Sequence, residues 1–113
     1  MSSRRVGVLA SLALAAAAVI PTTAFGGGGS AASHTVALKG IRFHPGVLTI
    51  NRGDSVTWVW EDRGVQHNVV FSGFRSRTQT SGSYSVRFTR AGTFAYRCTI
   101  HAAEGMRGKI IVH

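Results

Sequence analysis

The stretch "YSVRFTRAGTFAYRC" (residues 84–98) decides how this chain folds. Tyr84, Val86 and Phe88 share one face of its first half, and Phe94, Tyr96 and Cys98 share one face of its second. A period of two is that of a half-buried strand, not of a helix. "RAG" between the halves is a turn signal, so two short strands follow one another closely. Cys98 continues the row of Phe94 and Tyr96, which aims its sulfur into one end of a core.

Outward from this pair the same pattern recurs. "HTVALKGI" (34–41) alternates with Val36 and Leu38 on one side, and "SVTWVW" (55–60) with Val56, Trp58 and Trp60. "VLTI", "HNVVF" (67–71) and "GKIIVH" (108–113) are further short apolar runs, and "HPG", "NRGD" and "EDRG" turn the chain between them. "SGFRSRTQTSGS" (72–83) is polar and reads as a loop with an irregular edge. No helix is predicted after residue 33. About seven to eight strands at regular spacing predict an all-β, antiparallel β-sandwich.

The front of the 113-residue chain stands apart. Arg4 and Arg5 precede an apolar run from Val8 to Ile20, and Pro21 ends it. This is the layout of a signal peptide, assigned to residues 1–25. The run has thirteen residues, against roughly 20 needed to span a bilayer. "SRRVGVL" loosely fits a twin-arginine signal, and cleavage after Ala24, Gly26 or Ser33 fits equally. Retention of the segment as an anchor is the alternative. Residues 26–33 ("GGGGSAAS") read as a flexible leader, and residues 34–113 as the one folded domain, exported to the periplasm or the extracellular face.

Export sharpens the meaning of the single cysteine. One thiol cannot form an internal disulfide, and an exposed one outside the cytoplasm is open to oxidation. It must be buried, bound or paired between chains. The formal charge is +9, or +7 without Arg4 and Arg5. That excess steers the domain toward acidic partners. Nucleic acid is excluded as a partner by the export signal.

After Cys98 the sequence runs "CTIHAAEGM", placing an imidazole and a thioether in the connection to the last strand. Cys98, His101 and Met106 can converge where that loop folds over the end of the sandwich, and Gly105 gives it freedom to turn. Thiolate and thioether are soft donors and imidazole is intermediate, a set that selects copper over calcium or magnesium. Two His and one Cys with a weak axial Met make the blue-copper arrangement for electron transfer. The second His is assigned to His67, which starts a short strand just past a turn. His34, His44 and His113 match no ligand position and read as surface residues.

On "GDSVTWVW", "HNVVF", "AGTF" and "YRCTIHAAEGMRGKIIV", residues 35–113 resemble the cupredoxin family, in particular its plastocyanin/halocyanin branch. The family's ligand order, an early His and then Cys-x-x-His-x-x-x-x-Met, falls on His67, Cys98, His101 and Met106. The resemblance implies a Greek-key sandwich with one type 1 copper per chain at its loop end. It implies also that Asn68 holds the two ligand loops together. Gln66 and Ile100 stand where the family often has Pro, Trp60 where it often has Asn, and Arg97 where plant members carry an exposed aromatic.

These readings predict a monomeric electron carrier and not an enzyme. No metal position is left open for a small-molecule substrate, and His101 is the ligand nearest the surface. The expected partners are redox proteins, acidic or membrane-bound, and Arg75 and Arg77 are candidates for docking to an acidic one. A periplasmic copper carrier or donor is the alternative, disfavoured by the single Met after residue 1. A Cys98–His101 hydrolase lacks an orienting third residue. Trp58 reads as core, and Trp60 as core or as a cover of the copper end.

Overall fold

The computed structural model describes residues 31–113. The expected signal peptide and most of the leader therefore lie outside the described residues. Seven strands follow in order: β1 (Ser33–Leu38), β2 (Phe43–His44), β3 (Val47–Ile50), β4 (Ser55–Trp60), β5 (Ser83–Arg87), β6 (Gly92–Arg97) and β7 (Arg107–Val112). They form two sheets, in the orders β2-β1-β4-β5 and β3-β7-β6.

The alternation reads through directly into burial. Val36, Leu38, Val56, Trp58, Tyr96, Ile110 and Val112 point between the sheets and are buried, while their chain neighbours face outward. Trp58 sits at the centre. Its ring meets those of Tyr96, Phe71, Tyr84 and Phe88 at centroid distances of 5.4, 5.7, 5.9 and 6.5 Å. Burying one such aromatic stabilises the fold by about 1.5–3 kcal/mol from apolar area alone.

Gly108 faces Tyr96 across the second sheet. A Cβ at Gly108 would lie 2.6 Å from the Tyr96 hydroxyl and ring and 3.0 Å from the Gly46 carbonyl, so only glycine leaves room for that ring.

The all-β sandwich is as expected, but it is not wholly antiparallel. β1 runs parallel to β4 (Val36↔Trp58), and β3 runs parallel to β7 (Leu48↔Ile110). The connections β2–β3, β3–β4 and β5–β6 pass between the sheets, so some neighbours within a sheet are distant in sequence. "HNVVF" is not a laddered strand. It crosses the sandwich end, held by single bridges from His67 to Gln79 and from Val70 to Arg75 and Arg97. In its place Phe43–His44, read as part of a turn, pairs with β1.

The end away from residues 98–106 is tied by Asp54. Its buried carboxylate accepts the Ala32 and Asn51 N–H groups at 2.9 and 3.0 Å and the His34 imidazole at 3.0 Å. His34, expected at the surface, is half-buried for that reason; His44 and His113 are exposed. Ala32 and Ser33 thus already belong to the folded unit, just ahead of His34.

Candidate metal centre

Two segments build the site. The first is His67–Asn68, just after the turn that leaves β4. The second is the nine-residue connection Cys98–Met106 between β6 and β7. Its ends are stitched by the Cys98 N–H donating to the Met106 carbonyl at 3.0 Å. Inside it the His101 carbonyl accepts the Glu104 and Met106 N–H groups at 3.0 and 3.2 Å, forming a single 3-10 turn over Ala102–Glu104. Gly105 closes the turn at φ 93°, in the left-handed region that glycine enters without steric cost.

The segments bring His67, Cys98 and His101 together. Their donor atoms all lie within 4.8 Å of one another. The Cys98 Sγ is 3.8 Å from His67 Nδ1 and 3.7 Å from His101 Nδ1, and the two imidazoles meet edge to face at 5.0 Å. Metal bonds of about 2.0–2.3 Å to imidazole and thiolate put adjacent corners of a flat trigonal site about 3.8 Å apart. The donor set therefore fits a single type 1 copper, with room for the ion and little more. Cys98, His67 and Met106 are fully buried, whereas His101 is half-buried beside the exposed Ile100.

Sequence reasoning missed Asp62, in the turn "EDRG". Its Oδ2 accepts a hydrogen bond from His67 Nε2 at 2.8 Å. That leaves Nδ1 as the lone-pair nitrogen facing Cys98. Asp62 also accepts the Gly40 and Ile41 N–H groups at 2.7 and 2.9 Å. Burial opposes its charge, but the bonds from Ile41, His67 and Gly40 outweigh that and hold the carboxyl below its ordinary 3.8. These bonds also hold Ile41 at φ 55°, a conformation that a β-branched residue adopts only under constraint. The signal was a carboxylate five residues before a candidate ligand, which reads by default as a solvated turn.

Asn68 is buried and bridges both segments. Its Nδ2 donates to the Thr78 and Thr99 hydroxyls at 2.9 and 2.8 Å, and its Oδ1 accepts the Thr99 N–H at 2.8 Å. Trp60 is core and cover at once: it is buried, and its Nε1 donates to the His67 carbonyl at 3.1 Å. Arg42 clasps the opposite side, its Nη1 donating to the Ile41 carbonyl at 3.0 Å and the Glu104 carbonyl at 2.8 Å. Arg75 and Arg77 lie exposed on the 72–83 loop.

A family model described as copper binding proteins, plastocyanin/azurin family, matches residues 74–113. The chain is 37% identical over 84 residues to a plastocyanin of Scenedesmus fuscus, a match spanning 62% of this chain and 85% of that protein. It is 35% identical over 80 residues to a halocyanin of Natronomonas pharaonis, covering 65% of this chain but only 49% of the halocyanin. A solved Cu(I) form of an amicyanin mutant superposes with a TM-score of 0.64 at 31% identity, over 72% of this chain and 82% of that one.

Proposed function

We propose, given that the chain belongs to the plastocyanin/azurin family of copper-binding proteins, that it carries single electrons between protein partners. In this reading His67, Cys98, His101 and Met106 would hold one copper, and Asn68 would lock the two ligand segments. The observation that carries it is the His67–Cys98–His101 triangle, its donor atoms within 4.8 Å of one another.

Bound copper supplies the one-electron Cu(I)/Cu(II) couple; the residues around it keep that exchange fast and clean. Asp62 fixes the tautomer and tilt of His67. Trp60 holds the His67 carbonyl and Asn68 ties the next residue to Thr99 beside Cys98, so the donors need not move when charge changes. Burial of Cys98 excludes water and protects the thiolate from oxidation. The half-buried ring of His101 is where a partner approaches closely enough to exchange the electron. The burial of three of the four donors favours a resident ion over one handed on, which sets the copper-donor reading second.

Export to the periplasm or the extracellular face is supported by the Arg4–Arg5 pair and the Val8–Ile20 run. The domain works as a monomer in this reading.

The test is a visible spectrum of the protein titrated with Cu(II) and then reduced with ascorbate. An intense thiolate-to-copper band is expected, saturating at one copper per chain and bleaching on reduction. No band, with Cys98 still open to alkylation in excess copper, would overturn the reading.

A further inference from the structure

Strand register lines up three arginines on the outer face of the second sheet. Arg97 and Arg107 are direct partners in the β6–β7 ladder. Val70 bridges Arg97 on one side and Arg75 on the other. Directly opposed residues project from the same face. Here that face is the outer one, because the neighbours Tyr96, Cys98, Met106 and Ser76 are buried while Arg75, Arg97 and Arg107 are exposed. Lys109, two residues beyond Arg107, extends the row on the same side. Arg77 has no register partner that places it there.

The row is not compensated from within. Among the described residues the salt bridges are His34–Asp54 and His67–Asp62, and neither involves these four cations. Like charges set directly opposite each other work against a sheet. Such a row becomes favourable when carboxylates are brought to it from outside.

Its position matters as much as its charge. Arg97 is bonded to Cys98 and Arg107 to Met106, so the row ends beside both sulfur donors. Val70 and Arg97 exchange backbone hydrogen bonds of 2.9 and 3.1 Å, a short rigid path from that face to the thiolate.

We infer that the row Arg75–Arg97–Arg107, extended by Lys109, is the docking surface for a protein electron partner that presents carboxylates. The inference rests on the electron-carrier reading above. Guanidinium forks grip carboxylates two-pronged. A flat, charged sheet face steers encounter without holding the complex for long, which suits a carrier that must leave.

The test uses the copper-loaded full chain and, as an acidic probe, cytochrome c whose lysines have been succinylated. Electron exchange is followed by stopped flow against ionic strength. R75Q/R97Q/R107Q is compared with R52Q/R87Q/R90Q, which removes equal charge from the turns and strand end at the far side of the sandwich. The first variant should lose about tenfold in rate at low salt and most of the salt dependence, and the second about twofold or less. Amide broadening by hexacyanochromate(III), followed by NMR in the reduced protein, should centre on residues 70, 75, 97 and 107.

Equal losses in both variants would overturn the row and leave only the net charge. So would a row variant that keeps its rate with the cytochrome but loses binding to vesicles containing phosphatidylglycerol, since the face would then serve a membrane. Failure of the wild type to form a blue band would sink the electron-carrier reading itself. An intact band with unaltered rates would sink the docking surface alone.

Discussion

The carboxylate of Asp62 stands 2.8 Å from the Nε2 of His67, on the far side of the imidazole from Cys98. The ring is held between a fixed anion and the metal position. Replacing Asp62 by Asn removes the charge and turns one of its accepting oxygens into an N–H donor, which loosens its hold on the 40–41 loop or on His67. Copper affinity should fall about 10–100-fold, as for other residues that orient a ligand histidine. The reduction potential should rise, because the oxidised ion loses an anion behind its ligand. Chelator competition and voltammetry read the two effects, and an unchanged potential would show that Asp62 only shapes the turn.

Met106 is wholly buried just before β7. Met106→Leu conserves volume and should cost under about 1.5 kcal/mol in urea unfolding. It should keep copper and the blue band while moving the potential. Cys98→Ser should abolish the band. A potential identical to wild type in the leucine variant would remove Met106 from the ligand set.

Asn68→Ala strips the partners of two hydroxyls and one backbone N–H. Each such hydrogen bond contributes about 0.5–1.5 kcal/mol net, and water can replace part of it because Thr78 and Thr99 are exposed. A loss of that order is expected in the copper-free protein, measured by thermal unfolding. The blue band of the loaded variant should broaden as the two segments loosen.

Much of this was legible in the chain. Period-two alternation at Val56, Trp58 and Trp60, and again at Phe94, Tyr96 and Cys98, marked strands and the face each buries. The spacing of Cys98, His101 and Met106 pointed to soft-metal chemistry, and the structure brings Cys98 and His101 together with His67. Neighbour relations were not legible. Alternation tells which way Leu48 points, but not that it lies beside Ile110 in parallel. "HNVVF" has a strand's composition, yet it crosses the sandwich end and bridges only at His67 and Val70. Asp62 looked like any turn carboxylate, because its role is set by a tertiary contact with the 40–41 loop.

Gly108→Ala tests the packing directly. Its Cβ would meet Tyr96 at 2.6 Å and must push the ring or split β6 from β7. Overpacking of this kind costs about 1–3 kcal/mol. The midpoint of urea unfolding should fall, and a wild-type midpoint would show that Tyr96 has room to retreat.

Acid should unfold the far end first. The Ala32 N–H above all, then the His34 imidazole and the Asn51 N–H, pull the Asp54 carboxyl down from 3.8 to about 2. The folded form thus favours the charged carboxylate, and the unfolded chain takes up the proton at higher pH. The stabilisation is complete above pH 4 and is lost as pH falls toward 2. Asp54→Asn should be less stable than wild type at pH 7, with a flatter profile between pH 4 and 2. Parallel profiles for the two proteins would assign the acid sensitivity elsewhere.

The parallel pairing of Val47–Ile50 with Arg107–Val112 has a consequence for the order of assembly. Strand β7 is the middle strand of its sheet, and the Cys98–Met106 connection that leads into it closes only when that strand slides in beside residues 47–50. A chain emerging N-terminus first holds His67 long before it holds Cys98. Ion capture is thereby deferred until residues 98–112 have emerged, and a shorter nascent chain offers stray metal no preformed trap.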